Sequence, residues 1–120
     1  MTREEVHGIL KDQFSTGEIH SEYGMTELLS QAYSSGNGIF RSPPWMKMML
    51  RKEDDPLEVL QPLKIKSHES GVANIIDLAN LYSCSFIAAD DIVRIHQDSS
   101  FEVLGRIDNS DIRGCGLMIT

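Results

Sequence analysis

The chain has 120 residues, and its 11 Lys and Arg against 18 Asp and Glu give a formal net charge of -7. This length fits one domain. The chain has no cluster of basic residues of the kind that forms a nucleic-acid-binding surface. The sequence contains no run of 18 apolar residues, which a membrane span would need. Residues 1–20 lack the apolar block of a signal peptide. Two cysteines are too few for a disulfide framework. These features predict a cytoplasmic chain with free thiols and with no nucleic-acid or membrane partner.

The first 38 residues carry helical apolar spacing on either side of a short extended segment. Thr2 and Glu5 have the spacing of a capping box, which predicts a helix start. The pattern predicts, in chain order, a helix over 3–14, an extended segment over 18–23, a turn at Gly24, a second helix starting near Thr26 and a closing turn over 34–38. The N-terminal piece, 1–38, is therefore expected to be helix–strand–helix.

The remaining residues favour strands. We expect extended segments over 39–41, 45–52, 71–78, 86–89, 92–96 and 101–106, with 53–70 as a loop or loose hairpin. The predicted fold class is α+β, in which the N-terminal piece is followed by an antiparallel β-sheet or partial barrel over 39–120. Both pieces are small, so we expect one shared core.

The segment from Tyr23 to Glu27 has the chemistry of a phosphate site. If a helix opens at Thr26, its free N–H groups suit a phosphate, and the Thr26 hydroxyl can cap the helix or contact a phosphate oxygen. Glu27 can favour the helix dipole or hold magnesium, and Tyr23 offers a flat face for a base. The structural alternative is an N-cap, a first-turn acid and a core aromatic residue.

Three segments in order resemble motifs of adenylate-forming enzymes, the acyl-CoA synthetase and luciferase superfamily. Tyr23-Gly24-Met25-Thr26-Glu27 resembles their Tyr-Gly-x-Thr-Glu motif. Residues 87–91 resemble the Thr-Gly-Asp motif with Asp91 at the Asp position, and residues 105–108 resemble the Gly-Arg-x-Asp hinge motif. The resemblance implies that the chain is a fragment of the fold of that superfamily.

Further segments, 20–28, 76–84 and 110–115, resemble the acyl-protein synthetase family, the fatty-acid-activating component of bacterial bioluminescence and its non-luminous relatives. The phenylacetate-type CoA ligases are similar at a greater distance. Such enzymes join a carboxylic acid to the α-phosphate of ATP, release pyrophosphate and pass the acyl group to a thiol. The resemblance therefore implies ATP and magnesium as cofactors, in the context of the complete enzyme.

The resemblance also implies roles for single residues. Tyr23 and Gly24 would lie against the nucleotide, with the Tyr23 ring on adenine. Thr26 would donate a hydrogen bond to the α-phosphate and act in catalysis, and Glu27 would help to hold magnesium. Asp91 would accept hydrogen bonds from the ribose hydroxyls.

Towards the C-terminus, the resemblance places Arg106 near the nucleotide and makes Asp108 the hinge of a lid. Cys115 would be the catalytic cysteine that carries the acyl group, whereas Cys84 is expected in the core. The structural alternatives are a turn role for Asp91 and for Asp108, a surface charge at Arg106 and a buried thiol at Cys115.

Departures from the motifs leave other functions open. Ala89-Asp90 replaces the Thr-Gly that precedes Asp91 in the motif. The family's phosphate loop and acid pocket would precede Met1, and its lid lysine would follow Thr120, so we expect the isolated chain to be inactive. Its partners would be the upstream remainder of the enzyme, a carboxylic acid and a thiol acceptor, with a homodimer through apolar surface. The alternatives are a phenylacetate-type CoA ligase fragment and a non-catalytic binding module.

Overall fold

The computed structural model describes residues 1–60 and 67–107, which form an α+β fold with one α-helix and a curled antiparallel sheet. The elements in chain order are α1 (Arg3–Phe14), β1 (Ser21–Tyr23), β2 (Ala32–Ser34), β3 (Ile39–Phe40), β4 (Met46–Arg51), β5 (Val59–Leu60), β6 (His68–Asp77), a 3-10 helix (Leu78–Asn80), β7 (Phe86–His96) and β8 (Phe101–Arg106).

The helix α1 begins and ends as its sequence predicts. The Glu5 amide donates to the Thr2 hydroxyl at 3.2 Å, and the Thr2 amide donates to the Glu5 carboxylate at 2.6 Å, which completes the capping box. Ser15 closes the helix in the left-handed conformation. None of its residues is fully buried, and Phe14 is 72% exposed. Local capping therefore contributes more to this helix than burial of an apolar face does.

Within residues 1–60 and 67–107, six strands form the main sheet in the order β3-β8-β7-β6-β4-β5, and every neighbouring pair is antiparallel. Irregular register between Val72 and Asn74 and between Ile92 and Val93 bends the long central strands, so that the sheet curls into a half-barrel. The two segments predicted over 86–96 are one continuous strand, β7. Within the predicted loop or loose hairpin over 53–70, Val59–Leu60 pairs with β4 and His68 already begins β6, while residues 61–66 lie outside the described residues.

The predicted second helix starting near Thr26 is wrong. Residues 24–31 are irregular apart from a turn at Thr26 and Glu27, and Ala32–Ser34 is a strand that pairs with β1 in a separate two-stranded sheet. Ala32 and Ser34 are buried while Tyr33 is exposed, which is the two-residue period of a strand. The Tyr33 backbone also exchanges hydrogen bonds with Arg41. Contacts with distant residues thus override the helical spacing of this segment.

The hydrophobic core includes residues from both sides of the predicted boundary. Phe40 and Phe101 stack at a centroid distance of 5.6 Å, and the Tyr23 ring meets both edge-on. The other buried members are Leu28, Ala32, Met46, Met48, Leu50, Ala73, Ile75, Val93 and Ile95. A single core therefore joins residues 23–32 to the main sheet.

Apolar side chains at the turn between β6 and β7 are exposed. Leu81 is 70% exposed and Phe86 is 71% exposed, and Tyr82 is fully exposed. Cys84 lies among them and is exposed as well, so the expectation that it lies in the core is wrong. Its thiol donates to the Phe86 carbonyl at 3.1 Å. In the described segments, no helix is both long and apolar enough to cross a lipid bilayer.

Candidate functional site

A buried hydrogen bond joins the first motif to the second. The Tyr23 hydroxyl, at the end of β1, donates to Oδ2 of Asp91 on β7 over 2.6 Å. Burial of the phenol and this bond to a carboxylate raise the pKa of Tyr23 well above its ordinary value. Tyr23 is 8% exposed and its ring packs edge-on against two phenylalanines, so little of its face is open to a ligand.

The third motif lies beside the second because β7 pairs with β8. Asp91 stands opposite Arg106 in the register of these strands. The Arg106 Nε atom lies 3.9 Å from Oδ1 of Asp91, and the Asp91 side chain is 12% exposed. Asp91 thus has Tyr23 at one oxygen and a cation near the other. Because the Tyr23 hydroxyl binds Oδ2, Oδ1 is the oxygen able to accept a hydrogen bond from a ligand hydroxyl.

Thr26 and Glu27 lie at the tip of a tight turn. The Leu28 amide donates to the Met25 carbonyl at 3.1 Å, and Leu28 itself is buried in the core. Both Thr26 and Glu27 are exposed. Since no helix follows Thr26, the expected helix N-terminus does not supply free amides or a dipole for a phosphate here.

This turn is held to the sheet by two buried polar residues. Asp77, which is 0% exposed, accepts hydrogen bonds from the amides of Leu29 and Ser30 and from the Ser30 hydroxyl. The Asn80 side chain donates to the Glu27 carbonyl at 2.8 Å. Burial opposes ionisation of Asp77, but the bonds from Ser30 and the neighbouring amides outweigh it, so its pKa lies below the ordinary range.

These elements surround an open cavity of about 450 Å³. The predicted site residues that line it are Tyr23, Gly24, Thr26, Glu27, Asp91 and Arg106. A volume of about 300–1,000 Å³ is usual for small-molecule sites. The fold therefore brings together six of the residues that the sequence singled out, although up to 83 positions (106 − 23) separate them along the chain.

Ala89-Asp90, which replaces the Thr-Gly of the motif, does not displace the buried Asp91 carboxylate from the cavity. The Asp90 carboxylate lies 3.7 Å from Arg51 of β4, and its side chain is 62% exposed. Asp91 is buried, whereas Asp90 is exposed, as expected for successive residues of a strand. The extra charge of Asp90 is therefore balanced in part by a cation outside the three motifs.

Asp108 and Cys115 lie outside the described residues. The hinge and acyl-carrier roles assigned to them stay predictions.

Sequence reasoning missed Arg3 and Phe40, which also line the cavity. The Arg3 guanidinium carbon lies 5.2 Å from the centre of the Phe40 ring. It missed the anchoring roles of Asp77 and Asn80 as well. Asp77 follows an apolar run and N-caps the 3-10 helix, which is a detectable signal for a turn but not for its contact with Ser30, 47 positions earlier.

Magnesium fits this cavity only as an ion shared with a ligand. In residues 1–60 and 67–107, no group of three or more His, Cys, Asp or Glu side chains is arranged to hold a metal. Magnesium at nucleotide sites is usually held by one or two carboxylates together with phosphate oxygens. The exposed carboxylate of Glu27 is able to supply one such ligand.

A comparison with protein-family models, curated proteins and solved structures finds no match for this chain. The functional interpretation therefore rests on the sequence motifs and on the geometry of the cavity.

Proposed function

We propose that the cavity binds the adenosine nucleotide of ATP, and that the chain is part of an enzyme of the acyl-protein synthetase type within the adenylate-forming superfamily. That enzyme would join a carboxylic acid to the α-phosphate of ATP, release pyrophosphate and transfer the acyl group to a thiol. The observation that carries the proposal is the convergence of all three motifs on one cavity.

Asp91 is the proposed ribose ligand. Its side chain is largely buried, and the Tyr23 hydroxyl fixes Oδ2. A carboxylate held in this way can accept a hydrogen bond from a sugar hydroxyl through Oδ1. Tyr23 thus supports the site by holding Asp91, in place of the adenine contact that its motif implies, because little of its ring is open to a ligand.

Thr26 and Glu27 are the proposed contacts to the phosphates and to magnesium. Their turn is fixed at Leu28 and at the Glu27 carbonyl, so their side chains are presented from a constrained backbone. A hydroxyl donor placed in this way stabilises charge that develops on the phosphate in the transition state. Arg106 lies beside the carboxylate that would hold the ribose and belongs to the same nucleotide contact.

The charges around the cavity oppose tight binding of a triphosphate by the isolated chain. Among the residues that the structure describes, the charged side chains that line it are Arg3, Arg106, Glu22, Glu27, Asp90 and Asp91, two cations against four carboxylates. This lining does little to offset the charge of three phosphates. We therefore expect the isolated chain to bind adenosine and Mg-ATP weakly and to release no pyrophosphate with any carboxylic acid.

The test measures binding of adenosine, AMP and Mg-ATP to the 120-residue chain by ligand-observed NMR. Asp91→Asn should weaken adenosine binding about tenfold, since a hydrogen bond to a charged group contributes about 1.5–3 kcal/mol. Asp98→Asn, an exposed aspartate on the turn between β7 and β8, is the matched control and should bind as the wild type does. Absence of adenosine binding, or equal binding by Asp91→Asn, would contradict the proposal. Pyrophosphate release by the chain alone would contradict the expected inactivity.

A non-catalytic binding module is the second candidate. The observation in its favour is that Tyr23 is packed in the core and bonded to Asp91, which is also a structural role. ATP–pyrophosphate exchange separates the two functions when the assay uses a longer protein that includes this chain. Exchange that depends on a carboxylic acid and disappears in Asp91→Ala supports the ligase. A folded protein without exchange supports the module.

The phenylacetate-type CoA ligase remains the alternative within the enzyme class. It differs in the final thiol acceptor. Acyl label recovered on the protein, and lost in Cys115→Ser, supports the acyl-protein synthetase, whereas label recovered on CoA supports the CoA ligase.

A further inference from the structure

Arg3 stands apart from the other arginines of the described chain. Arg41, Arg51, Arg94 and Arg106 each have a carboxylate oxygen within 4.0 Å. Among residues 1–60 and 67–107, no carboxylate lies within that distance of the Arg3 guanidinium. Arg3 therefore carries a charge that no ion pair in the described structure offsets.

Two features hold this guanidinium at the cavity. It lies over the ring of Phe40, which is 1% exposed and part of the rigid aromatic core. Its Nη1 atom also lies only 2.9 Å from the position that a Cβ would occupy on Gly38. The glycine thus leaves the space that the Arg3 side chain uses. An aromatic face and a missing side chain together place Arg3 against the cavity, which it lines.

Arg106, the other cation among the described lining residues, already lies near a carboxylate. Arg106 lies 3.9 Å from Asp91, the carboxylate proposed to hold the ribose. The remaining charged residues of the lining, within the part of the chain that the structure describes, are acidic. An anionic ligand in this cavity thus depends on Arg3 for a positive charge that no described carboxylate neutralises.

We propose that Arg3 binds the phosphate oxygens of the nucleotide in this cavity, in the manner of a phosphate clamp. This assignment rests on the proposed function. A guanidinium presents a planar set of donors that matches phosphate oxygens in pairs. Arg3 binds the polyphosphate and Asp91 binds the nucleoside, so the two residues contact different parts of the ligand.

The experiment compares Arg3→Met with Lys11→Met in the 120-residue chain, using Mg-ATP and adenosine as probes. Lys11 lies on the same helix and does not line this cavity, although it lines a second cavity together with Arg3. Its variant therefore controls for the loss of a positive charge on this helix. We expect Arg3→Met to raise the Kd for Mg-ATP about tenfold or more, as for a charge-assisted hydrogen bond, and to change the Kd for adenosine less than about twofold. Lys11→Met should leave both values unchanged.

Two results would overturn the assignment: unchanged Mg-ATP binding by Arg3→Met, or an equal loss in Lys11→Met. Failure of wild-type chain to bind adenosine defeats the proposed function itself, and the assignment with it. If Arg3→Met does not fold, Arg3→Lys decides the question, because it keeps the charge but loses the planar donors. Weaker Mg-ATP binding by Arg3→Lys supports the assignment, and unchanged binding contradicts it.

Discussion

Asp77 and Ser30 are joined by two hydrogen bonds, one to each oxygen of a fully buried carboxylate. The Ser30 amide donates to Oδ2 at 2.8 Å and the Ser30 hydroxyl donates to Oδ1 at 2.7 Å. The Trp45 indole adds a bond to the same hydroxyl at 2.8 Å. This arrangement fixes the end of β6 to the segment that carries Thr26 and Glu27.

Asp77→Asn should lower the free energy of unfolding by about 2 kcal/mol, because hydrogen bonds to a charged group contribute about 1.5–3 kcal/mol. In either orientation, the side-chain NH2 of Asn also faces a backbone N–H donor, that of Leu29 and Ser30 or that of Ala79. Urea unfolding followed by Trp45 emission measures the change. Asp55→Asn, at an exposed turn, is the control and should stay within about 0.5 kcal/mol of the wild type. Equal stability of the two variants would contradict the anchoring role.

Tyr23→Phe should destabilise the chain by about 1–3 kcal/mol, because the buried Asp91 carboxylate loses a donor while the aromatic packing is kept. The control is Tyr33→Phe, whose hydroxyl bonds Gln31 at an exposed position. It should stay within about 0.5 kcal/mol of the wild type. Differential scanning calorimetry of the three proteins measures the difference, and a Tyr23→Phe protein as stable as the wild type would refute the prediction.

The raised pKa of Tyr23 predicts a loss of stability in alkali. An unfolded tyrosine ionises near 10.0, whereas burial and the bond to Asp91 keep the folded phenol protonated at higher pH. The contribution is thus fully present below pH 10.0 and falls as the pH rises further. Urea unfolding at pH 9, 10 and 11 should show a steeper decline in the wild type than in Tyr23→Phe; identical slopes would contradict this.

Gly71→Ala should destabilise the chain by about 1–3 kcal/mol, as overpacking commonly does. A Cβ at Gly71 would lie 2.9 Å from the Arg51 carbonyl oxygen and 3.3 Å from the Leu50 Cβ, so β4 and β6 must move apart. Gly105→Ala is a matched control on β8, since a Cβ there meets nothing within 4 Å. Thermal melting of both variants tests the prediction, which fails if they melt together.

The acid side of the stability profile should depend on Asp98. Hydrogen bonds from the Ser100 side chain and backbone, with Arg41 nearby, lower the pKa of Asp98 to about 2 from an ordinary 3.8. A lowered folded pKa gives stability that is present above pH 3.8 and lost as the pH falls towards about 2. Unfolding midpoints at pH 6, 4 and 2.5 should fall less in Asp98→Asn than in the wild type. An equal fall of the unfolding midpoints in both proteins would contradict this role of Asp98.

Local signals predicted the parts of the fold that local forces determine. The capping box gave the start of α1, and alternating apolar residues gave β4, β6 and β8. The helix predicted near Thr26 failed because its amides at Leu29 and Ser30 bond to Asp77 rather than within a helix. Nothing within residues 24–34 reveals that partner, since it lies 47 positions away in the chain.

The sequence likewise predicted some residues of the candidate site and missed others. The motifs identified Tyr23, Asp91 and Arg106 by residue type and order, and the pairing of β7 with β8 brings the last two together. Arg3 belongs to no motif, and its neighbours in the predicted helix are charged. A charged residue in such a segment usually lies on the solvent-exposed face of the helix. Its position over Phe40 depends on tertiary packing, which the sequence pattern does not encode.

The hydrogen bonds between Ser30 and Asp77 limit the rate at which the turn at Thr26 opens. An amide bonded to a buried carboxylate exchanges its hydrogen only when that contact breaks. The Ser30 amide should therefore exchange at the slow rate of the β6 amides, whereas amides at the exposed end of α1 exchange fast. The wall of the cavity then persists for as long as the sheet itself does, and a ligand meets a surface that is already formed.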